Sequence, residues 1–315
     1  MDSGGAGRNG CIQVSRVQDE KAGLKAGRLG NVLRHHAGTR LVSVQVPATV
    51  RPNNNMNMNT TPILPLSATL AIFVGVGLAT THPARGADNE APAGFISLFN
   101  GKDFTGWKVP AGDNGHWKVV DGAIDYDAQS EAKGDKSLHS EREFTDYILH
   151  VDWRIKETPY VNPNVPYILP DGTHARDIRG KEMRMALPDS DSGVFVRGSG
   201  RHQVNIWCWP IGSGEMYGIR TDSRQPAELR AAVTPRHQAD KPVGEWNHYE
   251  ITVRGKTVTV VLNGKTVIPT VTIPDLPARG GVGLQHHGGK DRSGNWNSPP
   301  SLLQFKNIFV KELSP

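Results

Sequence analysis

From Phe95 onward, apolar residues recur at every second position in short runs that end in glycine, proline, asparagine or aspartate. Successive side chains of a strand point to opposite faces, so this alternation predicts half-buried strands. Phe95–Phe99 is a short apolar run closed by the Asn100-Gly101 turn. In Phe144–Lys156, Tyr147, Leu149, Val151 and Trp153 form one row, and His150, Asp152 and Arg154 form the other. Trp246–Val253 and Thr257–Leu262, followed by Asn263-Gly264 and Lys265–Ile268, predict a hairpin, because Asn-Gly suits a tight two-residue turn. Gly280–Gly289 and Leu303–Lys311 supply the last strands. Trp107 and Trp117, between strand and turn signals, read as core. With no helical stripe of convincing length, the chain is expected to be all-β, a two-sheet antiparallel jelly-roll sandwich.

The centre of the pattern is Asp191–Trp209, two strands joined by a glycine-rich turn. Val194, Val196, Val204 and Ile206 would face a core. The alternate row carries Arg197, Gln203, Asn205 and Trp207. An arginine, two amides and an indole side by side suit a hydroxyl-rich ligand, although the same row also fits a solvated face. In the last glycine-rich strand Leu284 points inward, while Gln285 and His287 share the other face and His286 is structural. Residues 157–190 hold Pro159, Pro163, Pro166 and Pro170 among many charges. A segment this long without a regular pattern reads as an ordered insertion over one rim of the site. His174 and Asp177 within it could ligate a metal, but surface polarity explains them more simply.

Before Phe95 the picture changes. Residues 1–55 show no sustained apolar period and are expected to be disordered, an upstream extension before the true start at Met56 or Met58. The apolar run Ile63–Ala79, followed by Ala84-Arg85-Gly86, reads as a signal peptide over residues 56–87, cleaved before Ala87. The folded domain is expected over residues 92–315, secreted or periplasmic, with no stable membrane anchor after cleavage. Charge supports this division. Of the formal net charge of +5, residues 1–87 hold nine Lys/Arg against three Asp/Glu, and residues 88–315 hold 27 against 28. The domain therefore has no general electrostatic attraction for nucleic acid. Cys11 and Cys208 fall on opposite sides of the cleavage point, so no internal disulfide is expected and Cys208 reads as a small buried hydrophobe.

The chain carries no zinc-protease, nucleophile-elbow, phosphate-loop or dinucleotide fingerprint. Two-carboxylate glycosidases place an acid and a base or nucleophile across the scissile bond. Here the corresponding strand offers Gln203, Asn205 and Trp207 instead.

Leu98–Lys108 (LFNGKDFTGWK), Asp191–Arg197 (DSGVFVR), the Gly214–Gly218 turn, Gly244–Gly255 (GEWNHYEITVRG), the Asn263-Gly264 hairpin, the segment GLQHHG and Phe305–Val310 (FKNIFV) occur in this order. Together they resemble the 3-keto-disaccharide hydrolase domain family over roughly residues 94–313. The resemblance implies a concanavalin- or laminin-G-like jelly roll with a concave carbohydrate site. The family's Asn/Asp-Ser-Gly strand matches Asp191-Ser192-Gly193, its arginine matches Arg197, and its Leu-Gln-x-His-Gly matches Leu284, Gln285, His287 and Gly288. Its usual Glu-x-Gln is Gln203-x-Asn205 here, so a carboxylate is missing. Asp191 supplies an acid nearby, or the domain binds sugar without cleaving it.

The chemistry of a 3-keto sugar needs no carboxylate pair. The carbonyl acidifies the C2 proton, a base removes it, and the enolate expels the C1 substituent. Such a site requires one base and one electrophile for the enolate oxygen. Asp191 or His287 is the candidate base. Arg197 or a bound divalent cation is the candidate electrophile, and Asp191, His287 and Arg197 form the expected catalytic set. Gln203, Asn205, Gln285 and Tyr217 would fix hydroxyls, and Trp207 would stack on a sugar face. A carbohydrate-binding module and an interaction domain with a vestigial groove are the competing readings.

Overall fold

The computed structural model describes residues 88–314, so the expected leader and extension lie outside the described residues. Strands β1 (Ile96–Ser97), β2 (Trp107–Lys108), β3 (Trp117–Val120), β4 (Ala123–Tyr126) and β5 (Leu138–Phe144) lead into β6 (Tyr147–Ile155). β7 (Tyr160–Pro166), β8 (Arg184–Asp189), β9 (Ser192–Val196) and β10 (Ser199–Ile206) follow. Helices α1 (Tyr217–Arg220) and α2 (Ala227–Ala232) come next. The chain closes with β11 (Asn247–Arg254), β12 (Thr257–Leu262), β13 (Lys265–Thr272), β14 (Gly280–Leu284) and β15 (Leu303–Glu312).

Two antiparallel sheets face each other as a jelly-roll sandwich. The larger runs β13-β12-β11-β6-β15-β4-β3, with β1 also paired to β15; the smaller runs β10-β9-β14-β5-β2. The expected row of Tyr147, Leu149, Val151 and Trp153 lies in the core, each at most 1% exposed. Burying side chains of this size contributes roughly 1.5–3 kcal/mol each. From the opposite sheet, Val194, Val196, Val204, Ile206, Val282 and Leu284 pack into the same core. The Asn263-Gly264 turn has φ of 51° and 79°, the pair of positive values that such a hairpin requires.

The run Phe144–Lys156 is not one strand. A turn at Thr145-Asp146 divides it, with Phe144 ending β5 in the smaller sheet and Tyr147 starting β6 in the larger. Phe144 and Tyr147 both point into one shared core, and the step of three between them breaks the period-two spacing at the turn. Asp152, on the polar row, is fully buried and accepts hydrogen bonds from Asn307 Nδ2 at 2.6 Å and His248 Nδ1 at 2.7 Å. The stretch 222–244, which reads as loop, contains α2, six residues that are too few to show a periodic stripe.

Residues 157–190 form a separate antiparallel ribbon, β7 with β8, extended by bridges between Ile168 and His174 and between Arg176 and Glu182. Pro163 and Pro166 are tolerated because a two-stranded ribbon has a free edge on each strand, and the register shifts between Asn162 and Val165.

Candidate functional site

On β9 and β10 the side chains turned away from the core stand over the smaller sheet. Phe195 pairs with Gln203, and Gly193 pairs with Asn205. A Cβ on Gly193 would come within 2.9 Å of Gln203 Cδ, so the missing side chain lets Gln203 lie flat across the sheet. Past the end of β14, Gln285 is tied to β9 through Gln285 N to Gly193 O at 2.9 Å and Ser192 Oγ to Gln285 O at 2.8 Å. These residues line a cavity of about 260 Å³ together with Asp191, Trp207, Tyr217 and His287. Seven of the eight side chains singled out in the sequence therefore meet in one place.

Asp191 and His287 are stitched to the same loop. Ser301 Oγ donates to Asp191 O at 2.8 Å, and His287 N donates to Ser301 Oγ at 2.5 Å. Gly288 has φ of 86°, and a Cβ there would lie 2.6 Å from Pro300 Cα, so only glycine lets this loop close. His287 Nδ1 lies 2.6 Å from Pro299 O, a carbonyl that can only accept. Nδ1 therefore carries a proton, and Nε2 lies 3.8 Å from Asp191 Oδ2. Burial pushes the Asp191 carboxyl up to about 7, opposed by His287 and reinforced by the negative charge of Asp189. A carboxyl poised there exchanges protons readily at neutral pH.

Asn205 is 1% exposed, and its backbone is clamped from three directions. Its N–H donates to Glu215 O at 3.0 Å, and its carbonyl accepts from Gly214 N at 2.9 Å and Tyr249 OH at 2.7 Å. Yet neither Oδ1 nor Nδ2 of Asn205 has a partner, nor has Asp191 Oδ1 or Gln285 Oε1. Unsatisfied buried polar atoms cost about 1–3 kcal/mol each and are rare in native proteins. Four of them belong to residues lining this one cavity.

Trp207 differs from the expected open platform. It is 3% exposed, with Trp209 stacked on it at 4.0 Å and 6° and Tyr217 set edge-on at 6.2 Å. Its Nε1 donates to Gly212 O at 2.7 Å. Trp209 is the less buried of the two rings and lies one step further on the Gln203, Asn205, Trp207 spacing, past the end of β10 at Ile206. Asn162 from the β7–β8 ribbon also lines the cavity, so the insertion does border the site. Both Asn162 Nδ2 and Trp209 Nε1 donate to Asp189 Oδ2 at 2.9 Å, and Asp189 is fully buried. A second buried carboxylate, Glu215, pairs with Arg220 Nε at 2.6 Å, and burial pushes it up to about 7. It lies in the glycine-rich Gly214–Gly218 turn.

Arg197 is the correction. It does not line the cavity. Its φ is +49°, just past the end of β9, so strand alternation no longer sets its direction. The guanidinium is buried and donates to Thr145 O twice, to Gly255 O, to Pro277 O and to Asp146 Oδ1. A guanidinium has five N–H donors, and all are occupied. No donor remains for an enolate. His174 and Asp177 also do not converge. His174 faces Glu182 at 3.3 Å, and Asp177 Oδ1 accepts from the N–H groups of Arg179 and Lys181. Among the described residues no three His, Cys, Asp or Glu side chains are grouped as metal ligands.

Residues 94–311 match the model of the 3-keto-alpha-glucoside-1,2-lyase-like domain. The chain belongs to that family. A 3-keto-disaccharide hydrolase from Bacteroides thetaiotaomicron is 26% identical over 183 residues, covering 56% of this chain and 58% of that relative. A proposed glycosyl hydrolase of known structure from Parabacteroides distasonis is similar at 18% identity and a TM-score of 0.45, over 72% of this chain and 100% of that one. A carbohydrate-binding module from Bacillus subtilis is similar at 13% identity and a TM-score of 0.32, over 66% of this chain and 96% of that one. Membership makes this a carbohydrate-active protein, and the match spans the whole sandwich, insertion included.

In this family setting Asn205 carries a direct test. Asn205→Ala removes two unpartnered polar atoms and leaves the backbone clamp intact. Sugar affinity should weaken about tenfold, corresponding to one charge-free hydrogen-bond pair. The melting midpoint should hold or rise. Calorimetric titration beside a thermal scan reads both, and a large fall in midpoint would make Asn205 a structural residue.

Proposed function

We propose that the domain cleaves glycosidic bonds of 3-keto sugars by elimination, with Asp191 moving the proton. The observation that carries this reading is one partly buried carboxyl, pushed up to about 7, at a cavity lined by unpartnered amides and lacking a second lining carboxylate. Oxocarbenium chemistry calls for two carboxyl groups across the bond. Elimination calls for one base of near-neutral pKa.

In this scheme Asp191, as carboxylate, accepts the C2 proton. The electron pair moves into the C2–C3 bond and onto the carbonyl oxygen. Collapse of the enolate re-forms the carbonyl, makes the C1–C2 double bond and breaks the bond from C1 to the leaving oxygen. Asp191, now protonated, hands its proton to that oxygen. Atoms balance as an enone plus an alcohol; addition of water to the enone completes hydrolysis. Asn205 Nδ2 and Gln203 Nε2 are the amide donors available to the enolate oxygen, a role that Arg197 cannot fill. Fixed donors in a water-poor site stabilise developing charge without reorganising. His287, whose Nε2 lies 3.8 Å from Asp191 Oδ2, is placed to orient the carboxyl.

The test is a pair of substrates. A 3-keto-glucoside should turn over, while its parent glucoside should not react above background, because without the carbonyl its C2 proton is not acidic. Equal cleavage of both would overturn elimination. Binding of both with cleavage of neither would make the domain a carbohydrate-binding module.

A further inference from the structure

A separate cavity, of about 330 Å³, lies where the β7–β8 ribbon meets the two short helices, and it shares no lining residue with the Asp191 cavity. Three arginines from three elements line it: Arg176 from the ribbon, Arg220 from the end of α1 and Arg230 from α2. Nothing in the elimination chemistry uses it. The ribbon is docked closely here. Gly172 has φ of 78°, and a Cβ there would lie 2.7 Å from Thr234 Oγ1 and 2.9 Å from Arg230 O. Arg220 is 2% exposed and fixed on two sides. Its Nε lies 2.6 Å from Glu215 Oε1, and its Nη1 donates to Gly172 O at 3.2 Å and lies 3.2 Å from His174 Nε2. Arg230 is fixed by its Nε, which donates to Arg220 O at 2.8 Å.

These guanidinium groups keep donors in reserve. Among the described residues, Arg220 Nη2 and both Nη atoms of Arg230 have no acceptor. The neighbouring carboxylates are already taken. Glu182, which lines the cavity, is contacted by Arg176, Arg184 and His174. Asp171 accepts from Thr173 N and Oγ1. Glu215 pairs with Arg220 without lining the cavity, and burial pushes its carboxyl up to about 7. At neutral pH the pair therefore keeps part of the arginine's positive charge. A cation would be repelled by three guanidinium groups. An apolar guest would strip water from charges and replace it with nothing. A neutral polyol accepts hydrogen bonds but leaves the charge unopposed. An anion with several acceptor oxygens matches fixed, forked donors, which grip such groups bidentately. One water needs only about 10–15 Å³, so a cavity of this size has room for one.

We propose that this cavity binds a tetrahedral oxyanion, phosphate or sulfate, either free or carried on a small molecule, clamped by Arg220 and Arg230. Arg176, whose side chain is the most exposed of the three, closes the outer side. The assignment does not rest on the elimination reading, because it requires neither the sugar cavity nor turnover.

Inorganic phosphate, and separately inorganic sulfate, is titrated calorimetrically into the full-length protein in chloride at constant ionic strength. One saturable site should appear for at least one of the two ions, and that ion should raise the melting midpoint. Arg230→Gln removes a forked cation from a half-buried helix position and should weaken binding at least about tenfold. Arg176→Gln, at an exposed side chain, should weaken it several-fold. Neither should shift the midpoint in the absence of the ion. Arg254→Gln, an exposed arginine outside the cavity, should bind as the wild type does. No saturable binding of either ion, binding that survives both cavity substitutions, or an equal loss in Arg254→Gln would each overturn the site. Glucose 6-phosphate separates the two sources. An affinity equal to that of inorganic phosphate supports a free ion, and a tighter one, absent with glucose alone and lost in Arg230→Gln, supports a group carried on a small molecule.

Discussion

Asp191→Asn should lower turnover of a 3-keto-glucoside by about 10²–10⁴-fold, the usual contribution of a positioned general base, while substrate binding is largely kept. His287→Ala should cost less, because His287 acts on Asp191 and Asp191 acts on the substrate. The same Asp191→Asn protein should be more stable than the wild type above neutral pH. The sign follows from proton binding. The folded carboxyl titrates near 7, well above its ordinary 3.8. Between these values the folded state holds a proton that the unfolded chain has released, so wild-type stability falls as pH rises through that window. An asparagine carries no such charge. The gain at pH 8 should be on the order of a few kcal/mol. Turnover should move the other way with pH, rising through about 7 as the carboxylate forms. Denaturant midpoints and kcat at pH 5 and pH 8 read both trends. A variant that loses activity and also loses stability at pH 8 would place Asp191 among structural residues.

The opposed trends explain an apparent oddity of the site. Four unpartnered polar atoms and a carboxyl near 7 around one cavity are features that a fold selected for stability alone would remove. Proteins keep such groups where a ligand or a reaction needs them.

How much of this was legible in the sequence depended on whether alternation held. It held on β9, β10 and β14, so the shared face of Gln203, Asn205 and Gln285 and the core row of Val194, Val204, Ile206 and Leu284 came directly from period-two spacing. It carried one residue beyond the end of β10 to Trp207 and placed it correctly on the cavity. Trp209 lies one step further on the same spacing, held by a stacked ring and by buried Asp189 at the end of β8. Side chains set by tertiary contacts left no such trace. Asn162 arrives from an insertion whose prolines hide its pairing. Glu215 lies in a glycine-rich turn, and only the fold shows that Arg220 neutralises it. Arg197 misled for the opposite reason: its spacing was right, but a left-handed backbone turned it away.

That reassignment makes Arg197→Met a decisive variant. Were Arg197 the enolate's electrophile, the protein would fold normally and lose kcat. Its observed contacts forecast the reverse. The guanidinium ties Thr145 of the β5–β6 corner to Gly255 of the β11–β12 turn and to Pro277 ahead of β14. Removing it strands these carbonyls and leaves Asp146 without its buried counter-charge. A stranded buried carbonyl costs about 1–3 kcal/mol, so losing the partner of several at once is a large share of the roughly 5–15 kcal/mol that holds an ordinary domain folded. The denaturant midpoint should fall accordingly. Arg197→Lys should rescue little, since an ammonium has three donors in place of a planar fork of five. Turnover per folded molecule, measured well below the melting transition, should stay near wild type. A stable Arg197→Met protein with a collapsed kcat would return the arginine to the chemistry and oblige the amides of Gln203 and Asn205 to give up the enolate oxygen.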